Sequence, residues 1–209
     1  MTDGQVVRRI LKPLLWIGCL APAAWLVRGI VEGDLGADPI KTLTHTTGLS
    51  ALTILLVTLG VTPVRRLLSR PSLVLLRRPL GLFAWFYAVV HFLIYAVFDH
   101  QLSVQDISED VAKHPWVLVG FSALLLLTAL AVTSPAAAIR RLGARRWNRL
   151  HRLVYLAAIL VILHFLWLVK RDLTEPIRYG SILALLLLAR AVPALVRSRA
   201  AGRATAGAN

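Results

Sequence analysis

Apolar residues in this chain run in long unbroken stretches, and the polar residues are gathered into the gaps between them. Uncharged stretches of about bilayer width occur at 44–64, 79–98, 115–139 and 153–169, and a first at 13–31 is interrupted only by Arg28 near its end. The 153–169 stretch extends back into a helix over 147–169. A sixth segment, 177–196, has an uncharged run of eleven residues between Arg178 and Arg190, whose long stems can carry their charges to the interface. The pattern predicts an all-α membrane protein, a six-transmembrane-helix bundle forming one domain over residues 1–198. The Arg- and Ala-rich segment 199–209 has the composition of a disordered tail.

Composition supports this reading. With 57% hydrophobic residues and a mean hydropathy of +0.70, the chain carries more apolar surface than one soluble core can bury. A basic stretch before the first apolar run resembles a signal peptide, but the run continues past Ala21–Ala24 through Trp25, Leu26 and Val27, which predicts an uncleaved first helix. Cys19 is the only cysteine and reads as a small core residue.

A net charge of +14 suggests nucleic acid in a soluble protein, but here its distribution follows the loops. Arg8, Arg9 and Lys12, then Arg65, Arg66, Arg70, Arg77 and Arg78, then Arg140, Arg141, Arg145, Arg146, Arg149 and Arg152, and finally Arg190, Arg197, Arg199 and Arg203 fall on one side of a six-span chain. They are eighteen of its twenty-four basic residues, and nine of the ten acidic residues fall on the other side or at its edge. This bias predicts both termini in the cytoplasm, contact with anionic lipid and no nucleic-acid partner.

Two histidines lie deep in apolar stretches, His91 in PLGLFAWFYAVVHFLIYAVF and His164 in LVYLAAILVILHFLWLV. An imidazole in hydrocarbon is expensive unless it is paired, ligated or facing a polar cavity, so both are candidate functional residues. At 1.5 Å per residue His91 lies ~18 Å and His164 ~25 Å from the inner edge, matched within the error of the helix boundaries, while His151 lies at ~6 Å. Histidines facing each other from membrane helices suit a bis-imidazole haem.

His45, at the outer start of the second span, is a further candidate, alongside a hydrogen-bonding or partner-facing role. His151 is turned roughly 140° from His164 on a straight helix. It requires either a π-bulge or a separate cofactor if it is also a ligand, and an interfacial role is its alternative. His100 and His114, beside Asp99, Asp106, Glu109 and Asp110, match no compact metal-ligand spacing and read as a solvated loop.

Several motifs, taken in order, carry a resemblance. They are Gly33-Asp34-Leu35-Gly36-Ala37-Asp38-Pro39 followed by His45-Thr46-Thr47-Gly48, the Thr62-Pro63 helix end, Arg77-Arg78-Pro79-Leu80-Gly81-Leu82 leading to His91, and Trp147-Asn148-Arg149-Leu150-His151-Arg152-Leu153-Val154-Tyr155 leading to His164. Over nearly the whole chain they resemble the MsrQ family, the haem-binding membrane subunits of periplasmic methionine sulfoxide reductase systems. Through it they resemble the ferric reductase and NADPH oxidase-like transmembrane domains.

The resemblance implies an electron conduit in the bacterial inner membrane carrying haem b, one or two, and FMN. It implies electrons taken from the quinone pool or a flavin reductase and delivered to the periplasmic molybdopterin subunit MsrP, for repair of oxidised proteins. His91, His151 and His164 match the family's haem histidines, and His45 lies within a matching motif. The wider superfamily places a second histidine about fourteen residues before the first on the corresponding helix, and Arg77 stands there in this chain. Arg77, Arg78, Arg145 and Arg146 are candidates for a flavin phosphate, with topology as their alternative role. The rival functions are a stand-alone transmembrane ferric or oxygen reductase, and a haem-free membrane anchor in which His91 and His164 hydrogen-bond across helices.

Overall fold

The computed structural model describes residues 2–169 and 172–206, the side chains of 192–206 excepted. Ten α-helices and no strand occur among them. A short α1 (Asp3–Val6) passes through a π turn at Val7–Leu11 into α2 (Lys12–Glu32). Gly33, at φ 68°, closes α2 in the left-handed conformation that favours glycine. Asp38 caps α3 (Pro39–Leu67) by accepting from the Lys41 N–H at 3.0 Å. A 3₁₀ segment, Pro71–Leu76, leads into α4 (Arg77–Phe98). Beyond it come the amphipathic α5 (Val104–Lys113), α6 (Pro115–Val132), the short α7 (Ala136–Leu142) and α8 (Ala144–Leu150), α9 (Leu153–Leu168) and α10 (Thr174–Ala206).

Five helical stretches are long and apolar enough to cross a membrane: Asp3–Glu32, Pro39–Leu67, Pro71–Phe98, Pro115–Val132 and Ala144–Leu168. The α10 helix, which contains the expected span 177–196, is described with its side chains only as far as Ala191, short of the end of that span, and is not among the five. It nevertheless packs on α3 and α9.

Three boundaries differ from the sequence reading. The fourth apolar stretch leaves its helix at Val132 rather than 139. The hydroxyls of Thr133 and Ser134 fold back onto the carbonyls of Ala129 and Leu130 at 2.7 and 2.9 Å, and Pro135 offers no N–H to continue the ladder. The fifth span is not one straight helix over 147–169. His151 and Arg152 form a tight turn between α8 and α9, in which the Arg152 N–H reaches the Arg149 carbonyl at 3.2 Å. The α10 helix continues to Ala206, through most of the segment that composition assigns to a disordered tail; residues 207–209 of that tail lie outside the described residues.

Between lipid-solvated helices apolar surface alone gives little attraction, so close packing depends on small residues. The α3 helix lies along α4, and α6 along α9. Ala84, Ala123, Ala157 and Ala158 are buried at the helix contacts. Polar side chains also join the helices, Tyr87 among them. The Tyr87 hydroxyl donates to the Cys19 carbonyl at 2.6 Å and accepts from the Ala23 N–H at 3.1 Å, so it holds both groups of one helical step beside Pro22. Tyr87→Phe leaves those groups without this partner and is expected to destabilise the protein by about 1–3 kcal/mol. Thermal unfolding in detergent, compared with the wild type, checks it.

Candidate functional site

His91 on α4 and His164 on α9 meet with ring centroids 6.4 Å apart and ring planes at 83°. Each is held in the same way. Nδ1 of His91 lies 2.9 Å from the Thr44 carbonyl on α3, and Nδ1 of His164 lies 2.7 Å from the Trp116 carbonyl on α6. A carbonyl can only accept, so Nδ1 carries the proton in both rings and the Nε2 lone pair is left for another partner.

The carbonyls are accessible because of two glycines. Thr44 is four residues before Gly48 and Trp116 four before Gly120, so each carbonyl is the one toward which the glycine N–H points in the helix. A Cβ on Gly48 would stand 3.1 Å from Nδ1 and Cε1 of His91, and one on Gly120 would stand 2.7 Å from Nδ1 of His164. The missing side chain lets each ring lie against the neighbouring helix and use the carbonyl's second lone pair.

This is how metal-binding imidazoles are commonly oriented, with one nitrogen tied to a backbone carbonyl and the other presented to the metal. Two metal–imidazole bonds of ~2 Å, each extended to its ring centre, separate opposed centroids by about 6 Å. The observed pair fits that separation.

The other candidates lie elsewhere. Nε2 of His45 stands 3.5 Å from the Glu175 carboxylate of α10, and both side chains are exposed. His151 stacks on Trp147 at 3.9 Å, and its Nε2 lies 3.2 Å from Thr133 Oγ1, which already donates to Ala129. The turn at residues 151–152 separates it from the helix that carries His164. Arg78, Arg145 and Arg146 are exposed, Arg77 is partly buried, and none of the four is in an ion pair among the described residues.

His100 and His114 are more ordered than a solvated loop requires. Asp110 of α5 accepts from the Tyr95 hydroxyl at 2.5 Å and from His114 Nδ1 at 2.6 Å, and His100 Nε2 stands 3.5 Å from it. The ring of His114 packs on Trp116, whose carbonyl orients His164. Among the described residues no group of three His, Cys, Asp or Glu side chains, this one included, is arranged to hold a metal ion.

The profile described as ferric reductase like transmembrane component matches residues 44–162, which hold His45, His91 and His151 and end just before His164. The chain is 48% identical over 178 residues to the protein-methionine-sulfoxide reductase heme-binding subunit MsrQ of Polaromonas naphthalenivorans, covering 84% of this chain and 81% of that protein. It is 44% identical over 207 residues to MsrQ of Rhodospirillum rubrum, covering 98% and 99%, and 47% identical over 203 residues to MsrQ of Bordetella pertussis, covering 96% and 97%. The chain belongs to the MsrQ family. Membership agrees with the resemblance carried by the sequence motifs, and with an all-helical membrane fold of ferric reductase-like type.

In this MsrQ-family chain, sequence reasoning missed what stands behind the two buried histidines: Thr44, Gly48, Trp116 and Gly120. A lone glycine inside an apolar helix signals a close approach, but it does not say what approaches. The i, i+4 pair Asp110 and His114 on a charged helix was legible, whereas the arrival of Tyr95 from another helix was not.

Two predictions follow from these contacts. Gly120→Ala is expected to push His164 off the Trp116 carbonyl and destabilise the protein by about 1–3 kcal/mol, and Gly48→Ala to cost less because its contact is longer; parallel unfolding curves check the order. For Asp110, the hydrogen bond from Tyr95, assisted by His114 and opposed by partial burial, holds the carboxyl below the usual carboxylate range. Its stabilisation is therefore fully present above about pH 4 and is lost as pH falls through the lowered value. Asp110→Asn should remove that part of the acid dependence, measured as Tm against pH.

Proposed function

We propose that this chain holds a haem b between His91 and His164 and carries electrons across the bacterial inner membrane to a periplasmic molybdopterin partner, MsrP, which reduces methionine sulfoxide in oxidised proteins. The observation that carries the reading is the pair of imidazoles with ring centroids 6.4 Å apart, each with Nδ1–H committed to a neighbouring helix and Nε2 available. The relatives' description as heme-binding subunits of a protein-methionine-sulfoxide reductase supports it.

When bound, haem supplies one-electron chemistry at a potential set by its axial ligands, burial and nearby charge. The chain's own residues do the rest. The Thr44 and Trp116 carbonyls fix tautomer and ring orientation, Gly48 and Gly120 set the depth of each ring, and the apolar helices exclude water. His151 would have to exchange its Thr133 contact to serve a second haem, and His45 its Glu175 contact, so the reading uses one haem at His91 and His164.

The reading takes six spans, with α10 as the sixth and both termini cytoplasmic, because the basic loops gather at one end of the bundle. The donor is the quinone pool or a flavin reductase on the cytoplasmic side, with FMN held through Arg77, Arg78, Arg145 and Arg146. Exit is at the opposite end, where His164, the Asp110 network and the acidic loops lie.

A dithionite-reduced spectrum with quantified haem per chain tests the ligands. His91→Ala and His164→Ala are expected to lose or grossly alter the haem signal, and His100→Ala to keep it. Full occupancy with a wild-type spectrum in both former variants would assign the haem to other ligands, and a wild-type protein without haem would establish the haem-free anchor. In liposomes, reoxidation is expected to be fast with MsrP plus methionine sulfoxide and slow with either alone. Equal rates with ferric chelates, indifferent to MsrP, would establish a stand-alone reductase instead.

A further inference from the structure

The carbonyl that orients His164 belongs to Trp116, the second residue of α6, and the side chain at the cap position of that helix, His114, does not bond into its first turn. Terminal turns fray when nothing holds them, so a ligand-orienting group placed there needs support from elsewhere. The support comes from α5. His114 donates from Nδ1 to Oδ1 of Asp110 at 2.6 Å and lays its ring on the indole of Trp116, with centroids 4.7 Å apart.

The other oxygen of the same carboxylate serves the other histidine's helix. Oδ2 of Asp110 accepts from the Tyr95 hydroxyl at 2.5 Å, and Tyr95 stands one turn beyond His91 on α4. Between the two helices, the ring centroid of Phe92 lies 6.0 Å from that of Tyr95 and 5.7 Å from that of Phe121, the chain neighbour of Gly120. One carboxylate therefore joins the helix of His91 to the turn that holds His164. Both of its bonds are short and charge-assisted, the strong class of hydrogen bond.

The backbone is bent to bring Asp110 there. Gln101 and Leu102, between α4 and α5, have φ of 48° and 63°, a left-handed pair without glycine, and the Leu102 N–H closes on the Ala96 carbonyl at 2.7 Å. Such conformations persist only where the surrounding contacts over-determine them. The carboxylate bridge is one of those contacts.

We propose that Asp110 is a positioning residue for the axial ligands: through Tyr95 on one side, and through His114 and Trp116 on the other, it fixes the angle between the imidazole planes of His91 and His164, 83° in this structure. This role rests on the haem ligation proposed above. The orientation of the axial imidazoles shapes the electronic state of a low-spin ferric haem, so the angle has a spectroscopic signature independent of turnover.

The test uses the purified full-length chain with its haem and the variants Tyr95→Phe, His114→Phe and Asp110→Ala. The control is Glu109→Gln, which breaks the exposed pair with Lys113 one residue away from Asp110. Thermal unfolding verifies that each is folded. Three quantities are read: haem per chain, the largest g value in the electron paramagnetic resonance spectrum, and the rate of haem loss to excess apomyoglobin.

Tyr95→Phe and His114→Phe each keep an aromatic ring and lose one bond to the carboxylate. Both are expected to be purified with haem, to show a shifted or doubled largest g value, and to lose haem about tenfold faster, within the range that partners behind a metal ligand command. Asp110→Ala should do the same, and adding Tyr95→Phe to it should change nothing more, since both act through one carboxylate. Glu109→Gln should match the wild type. If Asp110→Ala does not fold, the two Phe variants decide. Wild-type g values and haem-loss rates in folded Tyr95→Phe and His114→Phe, or the same changes in Glu109→Gln, overturn the role and leave the haem reading intact. A wild-type chain without haem overturns the haem reading and this role with it.

Discussion

An imidazole N–H inside an apolar bundle has to find an acceptor, and the two at the centre of this protein find backbone carbonyls on the next helix. Those carbonyls already belong to a helical ladder, so only their second lone pair is free, and a ring can reach it only where the neighbouring Cβ is missing. Gly48 and Gly120 meet that condition at equivalent positions on α3 and α6. The register of α4 on α3 and of α9 on α6 therefore depends on two glycine–histidine contacts. The same contacts determine that Nε2 is the nitrogen each ring has to spare.

The two ends of the bundle meet their charges in opposite ways. At the acidic end a single carboxylate, Asp110, collects Tyr95, His114 and His100, and so ties the amphipathic α5 to the helix that carries His91 and to the turn before Trp116. At the basic end the arginines have almost no carboxylate to pair with, and Arg190 turns to a hydroxyl, a carbonyl and an aromatic face. The first end is closed by its own side chains. At the second, donors exceed acceptors, and the Nε of Arg190 has no partner among the described residues.

Much of the architecture was legible in the sequence because it follows from local rules. Lipid-length apolar runs and proline and glycine at helix ends are one-dimensional features, and they marked the five apolar helices together with a sixth segment that lies within α10. The same rules misplaced the end of the fourth span. Ala136–Leu142 is as compatible with helix as the residues before it, and the break comes from hydroxyls at Thr133 and Ser134 folding back ahead of Pro135. The tight turn at His151 was hidden for a similar reason, since no residue between Trp147 and Tyr155 forbids a helix.

By itself the sequence determined that His91 and His164 lie at comparable depth, that the basic residues gather on alternate loops, and that the chain has more apolar surface than a soluble fold can hide. Composition and rise per residue suffice for these. Only the tertiary structure decided which nitrogen each histidine has to spare, that His45 and His151 turn to Glu175 and Thr133, and that Arg190 reaches Leu59. Those contacts join residues 47, 48 and 131 positions apart in the cases of His91, His164 and Arg190. They depend on how each helix is rotated about its own axis, which is set by the packing of small residues between neighbours and leaves no periodic trace along the chain.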